Sequence, residues 1–205
     1  MSTSDGFKLH GSTIVTNDTT TWIGMPLYDA GVFYCTVATH ADDTGSADYG
    51  YGWLNAKLYS AADGWATGAT QYEFQQIYSA GNAATAYNNI TAGMFKYMAV
   101  ANQHSTVDEH QWGLTRIEYR NMDDSNFTFI ADEFSSANDT NVIPSGRSVP
   151  YGKIDGHPPY EWIGRGGGTC ETANKPTWIY FYINGVSITN YAPGSMISQM
   201  YMDFS

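Results

Sequence analysis

The sequence predicts an all-β fold: an antiparallel β-sandwich of jelly-roll type, built as one domain over residues 1–205. Three observations predict it. Short runs alternate at a period of two, as in Leu54-Asn55-Ala56-Lys57-Leu58, the spacing that sends successive side chains to opposite faces of a strand. Turn-forming residues such as Asp63-Gly64 and Pro193-Gly194 punctuate those runs. The composition suits strands and turns, with 15% aromatic residues, 16 Tyr and 21 Gly. A chain that is 42% apolar and only 14% charged also buries enough surface to fold without metal or disulfide staples.

In chain order, a short strand precedes the polar stretch Thr13–Thr21, and Thr20-Thr21-Trp22-Ile23 begins a second. Val32–Ala38 is short and apolar, with β-branched and aromatic residues, and reads as a strand. After a loop at Asp42–Ser46, Tyr51, Trp53, Asn55, Lys57 and Tyr59 oppose Gly52, Leu54, Ala56 and Leu58. Tyr72–Tyr78 alternates again. Ala83–Asn89 carries the only helix-friendly content, in a short stretch between strand formers. Phe95–Val100 and Leu114–Arg120 are strand-like, and Asp123–Asn126 reads as a hairpin turn into Phe127–Ile130. Ser135–Thr177 holds Pro144, Pro150, Pro158, Pro159, Pro176 and the run Gly164–Gly168, and predicts a long loop excursion in which Tyr151, Tyr160 and Trp162 pack. Trp178–Ile183 restores a strand, Asn184-Gly185 predicts a type I′ turn with Val186–Ile188 pairing back, and Ile197–Phe204 closes the chain. Trp53 and Trp178 lie in strand runs and are expected in the core.

Nine Lys and Arg against twenty Asp and Glu leave a formal charge of −11. Phosphate backbones and anionic membranes draw their affinity from Lys and Arg, so neither nucleic acid nor membrane is expected as a partner. No apolar run reaches the roughly 18 residues of a membrane span. The start, Met1–Gly6, has neither a basic segment nor an apolar one, so no signal peptide is expected and synthesis is placed in a cytoplasm. The two cysteines admit one pairing but no framework. Cys35, within the apolar run, is read as a reduced buried thiol; Cys170 follows the glycines in the predicted loop, and its pairing is left open.

No group of residues carries chemistry. The histidines His10, His40, His104, His110 and His157 show no metal-ligand spacing, and Asp108-Glu109-His110 reads as a solvated loop. The neighbouring carboxylates Asp42-Asp43, Asp123-Asp124 and Asp132-Glu133 are turn formers by position, not pairs converging on a bond. There is no Gly-x-Ser-x-Gly elbow, and Gly164-Arg165-Gly166-Gly167-Gly168 lacks the Lys-Ser/Thr of a phosphate cradle. No catalytic residue, metal or cofactor is therefore expected. Aromatic side chains remain, and they serve both sugar stacking and protein interfaces.

Three segments carry a resemblance: Ile90–Val100, Leu114–Asp124 and the closing Gly194–Phe204. Together they resemble the galactose-binding-like jelly roll used by carbohydrate-binding modules. The resemblance implies a closing-strand acid, Asp203, of the kind that helps hold a structural calcium there. This sequence departs at Gly6-Phe7-Lys8, where an ammonium stands in place of a second carboxylate, so Asp203 is read as a turn or terminal carboxylate. The Gly-, Thr-, Asn- and Tyr-rich composition resembles phage structural proteins. The leading expectation is a non-enzymatic virion component, a capsid decoration or cement protein or a tail accessory. Its partners are other virion proteins or its own copies, as a homo-oligomer, contacted through Tyr160, Trp162 and Tyr151. The alternative is a glycan-binding module, viral or secreted, working through Tyr49, Tyr51 and Trp65. A large apolar interface favours the first, and a concave groove lined by aromatics and amides the second.

Overall fold

A computed structural model describes residues 8–17, 19–40, 51–67, 71–80, 83–92, 95–101, 110–121, 126–138, 160–185, 190–191 and 193–202. Among them there is no helix. The strands are β1 (Lys8–Ile14), β2 (Trp22–Pro26), β3 (Ala30–His40), β4 (Tyr51–Ser60), β5 (Gly64–Trp65), β6 (Tyr72–Ala80) and β7 (Ala83–Ala92). They continue with β8 (Phe95–Ala101), β9 (His110–Arg120), β10 (Asn126–Asn138), β11 (Tyr160–Glu171), β12 (Trp178–Gly185) and β13 (Met196–Met202). An eight-stranded sheet runs β1-β13-β3-β9-β10-β11-β6-β7. A five-stranded sheet runs β2-β12-β4, with β5 and β8 end to end on the far edge of β4. The described pairings are all antiparallel, and the two sheets pack face to face as the predicted sandwich.

Alternation builds the core. Phe33, Cys35 and Val37 of β3, Ile117 and Tyr119 of β9 and Phe127 and Phe129 of β10 meet Leu54, Ala56 and Leu58 of β4 and Ile179, Phe181 and Ile183 of β12. Phe33 lies edge-on to Phe181 with ring centroids 5.2 Å apart, which locks one sheet to the other. Each such side chain contributes about 1.5–3 kcal/mol by leaving water. The Tyr72 hydroxyl of β6 crosses the core to accept from Leu58 N and donate to Ala66 O, both at 2.9 Å. It thereby fills a backbone position at the end of the small sheet.

Both cysteines are free and buried. Burial raises the Cys35 thiol well above its ordinary range and pushes Cys170 up to about 12. Cys170 thus sits in β11 and not in a loop. The two ends of the excursion expected over Ser135–Thr177 belong to the sheet: β10 runs on to Asn138, and β11 begins at Tyr160 and pairs with β10 along its length, while residues 139–159 lie outside the described residues. The glycine run predicted to turn lies mid-strand, because its neighbours leave no room for side chains. A Cβ on Gly168 would stand 2.3 Å from Glu73 O, and one on Gly167 2.9 Å from Phe129 O. Ala83–Asn89 is strand, held against β6. Asn184 and Gly185 form no turn but continue the ladder opposite Trp53 and Gly52. Residues 186–189, expected to pair back, and Asp203 lie outside the described residues.

Candidate functional site

The outer face of the small sheet is aromatic. In β12, Ile179, Phe181 and Ile183 point into the core, so Trp178, Tyr180 and Tyr182 fall on the other side. Register sets Tyr182 opposite Trp22 of β2, and Trp178 opposite Tyr59 of β4, which itself pairs with Trp65 of β5. Trp22 stacks on Tyr182 at 4.1 Å, and Trp65 meets Tyr180 at 4.8 Å, Tyr59 at 5.3 Å and Trp22 at 6.0 Å. Gly24 makes this possible: the Tyr180 ring crosses β2 above it, where a Cβ would stand 2.7 Å from Cε1. Lys57 Nζ lies 5.7 Å from the Tyr182 ring centre. Tyr182 is nearly buried beneath the cluster, which pushes its hydroxyl up to about 12. The three indoles stay open, with Trp22 and Trp65 44% exposed and Trp178 39%.

A cleft of about 260 Å³ adjoins Trp65. Tyr59, Trp65, Ala66 and Pro176 supply its apolar lining, and Ser60, Asp63, Thr67, Gln71 and Thr172 its polar groups. The turn at its rim is pinned. Ser60 Oγ accepts from Ala62 N at 3.2 Å and Asp63 N at 3.0 Å, and Gly64 takes φ +77°, which a side chain would strain. Asp63 Oδ2 accepts from Ser60 Oγ at 3.3 Å and Oδ1 from Asn174 Nδ2 at 2.8 Å. The segment 172–177 forms the opposite wall and is tied down by a Lys175–Asp29 ion pair and by Asn121 Nδ2 donating to Pro176 O at 2.9 Å. The Thr172 Oγ1 is buried without a hydrogen-bond partner.

The outer face of the large sheet differs. A cross-strand row carries Arg116, Asp132 and Arg165, with Glu118 beside Arg116, so its charges are internally paired. Around it Ile14, Tyr34, Ile77, Leu114 and Ile130 are exposed, Ile77 by 65%. A hollow of about 470 Å³ runs past Val32, Ile130 and Met202.

Of the residues predicted to make contact, Trp65 alone is placed with its side chain, and it joins the aromatic face through its contacts with Trp22, Tyr59 and Tyr180. Tyr49 and Tyr151 lie outside the described residues. Tyr51 is in β4 opposite Ala101. Tyr160 and Trp162, expected as loop anchors, are strand residues of β11 paired with Ala137 and with Ser135 and Ala80. The side chains of these three are likewise outside the description. Trp178, expected in the core, faces outward. Trp22, Tyr59, Tyr180 and Tyr182 were not singled out from the sequence, although the alternation of aromatics through 178, 180 and 182 was the signal available. Among the described residues no cluster of His, Cys, Asp and Glu could hold a metal ion. The chain matches no protein-family model, no curated protein and no solved structure.

Proposed function

We propose that this chain is a non-enzymatic binding module that holds a glycan at the aromatic face of its small sheet. The observation that carries the reading is the cleft at Trp65, where rings and hydrogen-bonding groups line one small space. A sugar ring offers an apolar C–H face and a rim of hydroxyls. Indole and phenol faces cover the first, while Asp63, Thr67 and Gln71 supply partners for the second. The Trp22, Trp65 and Trp178 surface extends the contact beyond one sugar at small cost in rotamer entropy. Glycan-array binding followed by calorimetry tests this. Trp65→Ala should weaken the best ligand at least about tenfold, the loss of one well-packed aromatic contact. Wild-type protein that binds no glycan, or a Trp65→Ala variant that binds as well, refutes it.

A second reading rests on the other face. The outer face of the large sheet exposes Ile14, Tyr34, Ile77, Leu114 and Ile130. They favour a virion structural component, a decoration, cement or tail accessory protein that docks on other virion proteins or its own copies. In that role the large sheet seats the chain and the small sheet stays displayed. Ile130→Asp combined with Ile77→Asp should abolish such docking and leave the fold intact, read by sedimentation of the wild type against the variant. Docking that survives both substitutions removes this reading.

A further inference from the structure

We propose that the Trp65 cleft takes uncharged sugar rings and rejects acidic ones, with Asp63 as its selectivity-determining residue; the proposal rests on the glycan reading above. Among the described residues, Asp63 is the only charged one lining the cleft. Lys175, on the segment that forms the opposite wall, is engaged by Asp29. The carboxylate is oriented by its neighbours: Ser60 Oγ and Asn174 Nδ2 each hold one of its oxygens, and the Ser60 turn holds its backbone. Each oxygen keeps a further lone pair, so the pinned carboxylate presents an acceptor pair suited to neighbouring hydroxyls.

The same arrangement penalises a second negative charge. Two carboxylates a few ångströms apart repel; Asp63 is exposed, so water and salt screen the effect and the discrimination is largest at low salt. The formal charge of −11 over the whole chain adds to this at low salt. The size of the cleft confines the choice to one ring. At about 260 Å³ it falls just short of the roughly 300–1,000 Å³ that drug-sized ligands occupy.

The test uses the methyl glycosides of glucose, galactose and mannose, each against the uronide that differs from it only in carrying a carboxylate at C6. Binding is read by tryptophan fluorescence and calorimetry on the full chain. At low salt the wild type should bind the preferred neutral glycoside about tenfold or more tightly than its uronide. Asp63→Asn keeps the shape and an acceptor for Ser60; it should raise uronide affinity about tenfold while changing neutral affinity less than about threefold. Asp63→Glu should keep the discrimination. The wild type carries an independent readout that needs no variant: in 1 M salt, where charges are screened beyond about 3 Å, the gap between the pair should narrow. A uronide bound as tightly as its neutral partner by the wild type, or a gap that neither Asp63→Asn nor salt reduces, overturns the selectivity and leaves the glycan reading standing. If neither member of any pair binds and the array is blank, the glycan reading falls and takes this proposal with it.

Discussion

Two tyrosines make a matched experiment on what a buried hydroxyl is worth. Tyr72 and Tyr191 are both fully buried, and in each Tyr→Phe removes one oxygen and little else. The Tyr72 hydroxyl accepts from Leu58 N and donates to Ala66 O. Leu58 O already takes Ala66 N, so the phenol closes the last rung between β4 and the chain leaving β5. Without it a backbone donor and a backbone acceptor stay buried and unmatched, at about 1–3 kcal/mol each. Some relaxation will recover part of this, and Tyr72→Phe should cost about 2–4 kcal/mol. The Tyr191 hydroxyl is buried with no partner, so its desolvation cost is paid in the wild type with nothing returned. Tyr191→Phe should therefore be neutral or stabilising by up to about 1 kcal/mol. Urea unfolding followed by fluorescence measures both, and for a chain of 205 residues the Tyr72 loss should appear as a drop in Tm of roughly 5–12 °C. Hydrogen exchange should quicken at Leu58 and Ala66 in Tyr72→Phe alone. Equal effects of the two substitutions would refute the reasoning, since only the partners distinguish them.

Three further outcomes follow from the packing. Gly168→Ala places a methyl 2.3 Å from Glu73 O and 2.7 Å from Phe74 Cβ, and should cost about 2–4 kcal/mol in denaturant unfolding, against little for an alanine at an open strand position. Ellman's reagent should find two thiols on the unfolded, unreduced chain and react slowly with the native one, because Cys35 and Cys170 are free, buried and held protonated; a count of zero would mean a disulfide. Stability should fall as pH rises from about 9 to about 12. Burial pushes Cys170, Tyr119 and Tyr182 up to about 12 and raises Cys35 as well, so the unfolded chain loses those protons first. An alkaline denaturation series measures this, and stability rising through that interval would contradict it.

What was legible in the sequence was whatever depends on neighbours along the chain. Leu54, Ala56 and Leu58 announce an inner face because Lys57 and Tyr59 interrupt them, and the structure buries that face. Val32–Ala38 carries the β-branched and aromatic content of a strand and lies within β3, where Phe33, Cys35 and Val37 are buried. The glycine run escaped because its cause is distant in sequence. Gly167 and Gly168 are small on account of Phe129 in β10 and Glu73 and Phe74 in β6, two strands that meet only in the folded sheet. The aromatic face escaped for a different reason. Residues 178–183 are apolar or aromatic on both sides, so the period shows a strand without saying which side is inner.

Register decides the inner side of β12, and the decision bears on function. Trp178, Tyr180 and Tyr182 face outward because Pro26, Gly24 and Trp22 lie opposite them on β2 and Tyr59, Lys57 and Asn55 on β4. Gly24 leaves the space that Tyr180 fills, and Trp22 stacks where Tyr182 would otherwise meet water. A solvent-facing sheet needs none of this, since Thr and Lys at the same positions would satisfy the strand and remain wet. Ring contacts that brace one another, yet leave three indoles 39–44% exposed, are a rigid surface held open. Covering those indoles with a ligand returns the hydrophobic free energy that their exposure forgoes, and little rotamer freedom remains to be lost on binding. The cleft stands at the one edge of this surface where Asp63, Gln71 and Thr172 add direction to it. On the glycan reading proposed above, the aromatic face would supply affinity and the polar wall at Trp65 the choice among ligands.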